Sequence, residues 1–233
     1  NAVNSHIDFE DELEVAGIIT QPFTGNIMAL VGGKDYTISQ YNRAIYSSRQ
    51  VASTIKPLLY YCALQQGFTP ATQFTSQATT FRLSDGKEYA PTNYNDLYAN
   101  DQMSMINATA LSDNIYAVKT HLFLGVNSLH NALLDFQIKQ SEPNPSEALG
   151  TVNMSLLELS RIYNTFASEG LYIKPAFISR ITNKDTTLYE RDTQVKRLLQ
   201  RDETLILNQM LTATFDIQNQ SYTFPSMYGD RKS

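Results

Sequence analysis

The sequence predicts an α+β fold, a body of strands and helices into which a mainly helical lobe is inserted. Three observations carry that reading. β-rich runs around a Pro/Gly turn open the chain, helical stretches fill its middle, and strand patterns return towards its C-terminal end. With 233 residues, 42% of them hydrophobic and 18% charged, the chain can bury a core for one large domain or two small lobes sharing an interface.

The first strands are Leu13–Thr20 and Asn26–Val31, a hairpin around Gln-Pro-Phe-Thr-Gly. Gly32-Gly33 lacks the rest of a phosphate-binding pattern and reads as a strand end. A polar, Tyr-rich connection leads to Arg49-Gln50. Ser53–Gln66 is predicted as one helix, with Ser53 as its cap, Pro57 in its first turn and Gly67 as its stop. Phe68–Tyr98 is irregular, with a tight turn at Asp85-Gly86. Helices follow around Ser104–Leu111, Ile115–Leu124 and Ser128–Gln137. A Pro/Ser loop, Ser141–Gly150, leads into a helix over Ser155–Glu169 that Gly170 closes. Phe177–Thr182 and Leu188–Arg191 flank Asn183-Lys184-Asp185 as a second hairpin, and Asp202–Thr214 is a last helix. The sheet is thus expected from strands within 13–31 and about 173–191, and the helical lobe over about 68–170.

Composition narrows the function. The net charge of −5, with no basic block, argues against nucleic acid as a partner. A single cysteine, Cys62, excludes an internal disulfide. His6, His121 and His130 are scattered without metal-ligand spacing and read as surface or core residues, so neither metal nor cofactor is expected. Tyr60 and Tyr61 read as packing around the Ser53 helix. No apolar run approaches the roughly 20 residues of a membrane helix and no signal peptide opens the chain. The opening Asn-Ala-Val is not a natural start, so a portion excised from a longer protein is expected.

Two short motifs carry chemistry. Ser53-Thr54-Ile55-Lys56 is an S-x-x-K, whose three-residue step puts both side chains on one helical face. A serine hydroxyl needs a base within reach, and a lysine serves as one when burial lowers its pKa. Ile55, Leu58 and Leu59 supply apolar surroundings for that burial. Ser84-Asp85-Gly86-Lys87 matches the same pattern but sits on a turn, where the two side chains share no helical face. Ser112-Asp113-Asn114 follows 59 residues after Ser53, between two predicted helices. Its hydroxyl can pass protons between the lysine and a leaving group, and its amide can bond a substrate carbonyl and the lysine. The competing reading is a capping pair for the helix at Ile115. S-x-x-K, S-D-N and K-T-G together mark penicillin-binding proteins and class A β-lactamases. The chain closes on Arg231-Lys232-Ser233, the first two letters of K-[ST]-G, 120 residues after Ser112.

The flanks are more specific than the motifs. Leu30–Tyr36 (LVGGKDY), Tyr41–Ala44 (YNRA), Arg49-Gln50, Gly67–Thr72 (GFTPAT), Tyr89–Tyr94 (YAPTNY), Ala148–Gly150 (ALG) and Tyr163–Gly170 (YNTFASEG) resemble the transpeptidase domain of class A (bifunctional) penicillin-binding proteins, over roughly Val15 to Phe215. The resemblance implies the serine β-lactamase/penicillin-binding transpeptidase fold, an antiparallel sheet flanked by helices plus an inserted mainly helical lobe. It implies Ser53 as nucleophile, Lys56 as its base, Ser112 as proton relay and Asn114 as substrate orienter. Lys232 and Ser233 would help bind a substrate's terminal carboxylate. Implied partners are peptidoglycan stem peptides (a D-Ala-D-Ala donor and an amine acceptor) and β-lactams. A membrane anchor and a glycosyltransferase domain upstream would place the protein at the extracytoplasmic face of the bacterial cell membrane. The chain departs from the family in having Val51-Ala52 where Pro-Gly is usual before the serine, and in lacking the strands that follow K-[ST]-G. Two rivals to a D,D-transpeptidase are a catalytically silent penicillin-binding scaffold or sensor, and a serine β-lactamase. The latter needs a water-activating carboxylate. Glu142-Pro143 lacks the accompanying Leu-Asn and reads as ordinary loop.

Overall fold

A computed structural model of the chain describes residues 13–83, 86–138 and 142–216. Lys232, Ser233, Ser84, Asp85 and His6 lie outside the described residues. The described helices are α1 (Arg43–Tyr46), α2 (Lys56–Gln65), α3 (Met105–Leu111), α4 (Asn114–Leu124), α5 (Asn127–Asp135), α6 (Leu156–Ala167) and α7 (Arg201–Thr212). The described strands join two by two into antiparallel ladders. The chain divides into two compact units, Asn1–Gln50 with Asn153–Arg201, and Val51–Val152 with Asp202–Ser233.

In the first unit, Gly17–Gln21 pairs with Asn26–Val31, from Gly17 opposite Val31 to Gln21 opposite Asn26. The strand starts at Gly17, not at Leu13 as the β-rich run suggests. The hairpin turns at Gly25, whose φ of +66° and close approach to Ile173 both require the missing side chain. α6 begins with a capping box: the Ser155 hydroxyl accepts from the Glu158 N–H while the Glu158 carboxylate accepts from the Ser155 N–H. The second predicted hairpin is present as Arg180–Asn183 with Thr186–Glu190.

The second unit is organised around α2, whose residues from Lys56 to Leu64 are all buried. A helix apolar all round belongs at the centre of a core, and α4 and α5 pack against it. Tyr60 and Tyr116 meet edge-on with ring centroids 6.0 Å apart, and Phe74 meets Tyr116 at 5.2 Å. Each fully buried side chain such as Leu58 or Leu59 contributes about 1.5–3 kcal/mol. Cys62 lies buried in the same helix, its thiol 4.0 Å from the Ser128 carbonyl, and burial pushes that thiol up to about 12.

One prediction about α2 needs correction. Ser53 does not cap it: Ala52–Ile55 is a 3-10 turn and the α-helix starts at Lys56. Pro57 supplies the reason. Lacking an N–H, it cannot satisfy the Ser53 carbonyl four residues back, so the Lys56 N–H does so in 3-10 fashion.

Candidate active site

The turn that carries Ser53 is held by backbone on its N-terminal side. The Val51 N–H donates to the Val152 carbonyl at 3.1 Å and the Ala52 N–H to the Gly150 carbonyl at 3.0 Å. Ala52 is left-handed, with φ +48°. Gly150 packs so closely on it that a side chain at 150 would overlap the Ala52 carbonyl. Side chains three apart eclipse in a 3-10 turn, so Ser53 and Lys56 share one side, the serine exposed and the lysine buried. The departure from Pro-Gly therefore falls on a strained position. A left-handed residue costs about 1–2 kcal/mol, and glycine's greater freedom when unfolded returns about 0.4–1. Ala52→Gly is expected to raise stability by up to about 1 kcal/mol in urea unfolding; a loss would mean that the methyl group packs usefully.

The Lys56 amine has three partners: the Ser112 carbonyl at 2.6 Å, the Ser112 hydroxyl at 3.1 Å and Asn114 Oδ1 at 2.6 Å. Burial pushes its pKa down to about 7, with Asp113 pulling the other way. At neutral pH a large share of the amine is therefore uncharged. In that form its two N–H groups suit the two carbonyl-type oxygens and its lone pair faces the Ser112 hydroxyl. The Ser53 hydroxyl has no hydrogen-bond partner among the described residues.

Local structure explains how 112–114 presents both ends to the lysine. Ser112 ends α3 in a left-handed conformation, φ 55° and ψ 43°, which turns the chain sharply. Asp113 caps α4, its Oδ1 accepting from the Tyr116 N–H at 2.7 Å. The capping reading thus holds for the middle residue, while the residues on either side face Lys56. Asp113 Oδ2 accepts from the Ser76 hydroxyl at 2.5 Å and from Asn93 Nδ2 at 2.7 Å. Asn93 Oδ1 accepts from the N–H groups of Asn114 at 2.8 Å and Ile115 at 3.3 Å. Asn114 Nδ2 donates to the Thr92 carbonyl at 2.7 Å, which leaves its Oδ1 for Lys56.

Of the residues singled out in the sequence, Ser53 and Lys56 share a turn, and Ser112 and Asn114 converge on the lysine. Lys87 sits instead in a small hairpin, where its carbonyl accepts from the Leu83 N–H at 2.8 Å. Among the described residues, the Glu142 carbonyl accepts from the Asn144 side chain and its carboxylate makes no bond. His121 and His130 meet the Asn144 carbonyl and Glu147 Oε1, each at 3.1 Å. Sequence reasoning missed Asn93, Ser76 and Gly150 as supports, and saw Asp113 only as a candidate helix cap. The YAPTNY segment was the one available signal for Asn93.

The fold is that of penicillin-binding transpeptidases. The crystal structure of penicillin-binding protein 1A from Haemophilus influenzae superposes with a TM-score of 0.83 at 24% identity, over 91% of this chain and 37% of that one. Penicillin-binding protein 3 from Mycobacterium tuberculosis, complexed with aztreonam, gives 0.73 at 15% identity over 91% and 54%. Residues 15–213 match the family described as the penicillin binding protein transpeptidase domain, and the chain belongs to that family. Penicillin-binding protein 2D of Bacillus subtilis is 43% identical over 95% of this chain and 32% of its own length. Penicillin-binding protein 1A of Aquifex aeolicus is 34% identical over 82% and 26%. Relatives named 1A, 1B and 2D put the chain with class A members. It spans about a third of the Bacillus relative and about a quarter of the Aquifex one.

Proposed function

We propose that this chain is the acyl-transfer part of a peptidoglycan D,D-transpeptidase. Ser53 attacks the D-Ala-D-Ala amide of a donor stem peptide while Lys56 takes its proton. The C–N bond breaks and the terminal D-Ala leaves, its nitrogen receiving a proton by way of Ser112. An amine of an acceptor stem peptide then attacks the Ser53 ester, loses a proton through the same groups and restores the hydroxyl. Asn114 orients the donor with the N–H that Thr92 leaves free. Lys232 and Ser233 would take its terminal carboxylate. One observation above all supports this reading: a buried amine with a pKa near 7, on the turn that exposes Ser53, bonded to both ends of Ser112-Asp113-Asn114.

A β-lactam presents the same amide in a strained ring and would acylate Ser53. The complete protein is proposed to carry a membrane anchor and a glycosyltransferase domain upstream and to work at the extracytoplasmic face of the membrane; no helix among the described residues is long and apolar enough to cross one. Labelling the complete protein with a fluorescent penicillin, followed by peptide mapping, tests the function. The label is expected on Ser53 and to persist, because Glu142-Pro143 lacks the Leu-Asn that accompanies a water-activating carboxylate. Fast turnover of a chromogenic cephalosporin would favour a β-lactamase, and an unlabelled Ser53 would favour a silent scaffold.

A further inference from the structure

Asn93 lies in a stretch with little regular structure, yet its side chain is buried and fully committed. Its oxygen accepts the first two N–H groups of α4, and its nitrogen donates to Asp113 Oδ2 and, at 3.0 Å, to the Leu97 carbonyl. An amide has two donors and two lone pairs, so nothing is left for solvent or substrate. We infer that Asn93 is a positioning residue for acylation: acting through Asp113 and Asn114, it holds residues 112–114 in the arrangement that keeps Ser112 and Asn114 on the Lys56 amine.

The case rests on the transpeptidase reading and on what each bond prevents. An N-terminal helix turn leaves N–H groups unsatisfied; here Asn93 takes those of Asn114 and Ile115 while Asp113 takes that of Tyr116. Without Asn93, the Asn114 backbone is free to rotate and its side chain moves with it. The Asn114 amide cannot flip in place, since its NH₂ would then face the donors of Lys56 and its oxygen the Thr92 carbonyl. Asp113 is a buried carboxylate that needs its donors, and Asn93 and Ser76 supply two of them. Among the described residues, Lys56 and Tyr60 from α2 and Lys119 from α4 feel the charge of Asp113. Its placement therefore also affects how readily Lys56 gives up a proton.

The experiment follows penicillin acylation of the complete protein from pH 5.5 to 9, separating pre-acylation binding from the limiting rate. Asn93→Ala is expected to lower the limiting rate about 10–100-fold, the range for outer supports of a reacting group, with binding little changed. Asn93→Asp opposes two carboxylates and is expected to be slower still. The exchange of Asn93→Asp together with Asp113→Asn restores one amide facing one carboxylate, keeps a good helix cap, and is expected to recover part of the rate. Asp113→Asn alone removes the charge and moves the pH midpoint downward. A merely stabilising Asn93 would give variants that melt lower yet acylate, once folded, at the parent rate with an unmoved profile; that result overturns the inference. Should Asn93→Ala not fold, an exchange variant no faster than Asn93→Asp overturns it equally. A parent protein that is not acylated at Ser53 sinks the transpeptidase reading first and this inference with it.

Discussion

Replacing Lys56 by alanine is expected to lower the limiting rate of Ser53 acylation by about 10²–10⁴-fold, the usual cost of losing a positioned base. Lys87→Ala is expected to leave it within about twofold, as exposed turn residues do. The contrast comes from surroundings, since both lysines end an S-x-x-K. Lys56 is buried and held by three oxygens, while Lys87 closes a surface hairpin. The sign of the pH dependence follows. Burial disfavours the ammonium form, so the amine loses its proton at about 7 instead of 10.5. Below that pH it is protonated and cannot accept the serine proton; above it, it can. The parent rate should therefore climb through about pH 7 and level off. Equal effects of the two substitutions, or a rate flat from pH 6 to 9, would show that Lys56 is not the base.

Gly150→Ala should be among the most damaging single-methyl additions in the chain. The residue sits at φ +73° and its new Cβ would overlap the Ala52 backbone, where no flexible side chain can yield. Overpacking costs about 1–3 kcal/mol and a left-handed alanine about 1 more, so a loss of about 2–4 kcal/mol is expected. Because the displaced atoms belong to the residue before Ser53, acylation by the folded fraction should fall as well, by up to about 10²-fold. Gly67 is the matched control. Its φ is +88° but nothing lies within 4 Å of the added atom, so Gly67→Ala should cost only the strain of about 1 kcal/mol. Equal unfolding free energies for the two variants would mean that the Gly150–Ala52 approach is looser than described.

Much of the fold was readable because the chain is well punctuated. Pro57 with Gly67, Gly170 after the Ser155–Glu169 run, and the Pro/Gly turn after Gln21 bracket their elements locally, and α2 to α7 fall within a few residues of their predicted bounds, while α1 lies in the stretch that reads as a polar connection. The pairing of Gln73–Ser76 with Asp101–Ser104 was not legible, since that ladder spans a stretch without periodicity. Two-residue strands such as Arg49–Gln50 are too short to leave a pattern. The active-site motifs showed themselves because each sits within four residues. Their supports did not: Asn93 and Ser76 reach Asp113 from 20 and 37 positions away, and such bonds write nothing into the local sequence. Pro57 misled in a specific way. A proline in the first turn is compatible with a helix beginning at Ser53 or at Lys56, and only the 3-10 bond to the Ser53 carbonyl distinguishes them.

The lone thiol on α2 has a practical use. Cys62 sits six residues beyond Lys56 in the same helix, shut away from solvent and held in its unreactive protonated form. An alkylating reagent reaches it only when that helix breathes, so the rate of modification under native conditions reads out the free energy of the local opening. In this chain no second cysteine competes for the reagent. The helix that follows the nucleophile thus carries its own gauge of rigidity, and inhibitors can be ranked by how far they quiet its motion without attaching any dye to the protein.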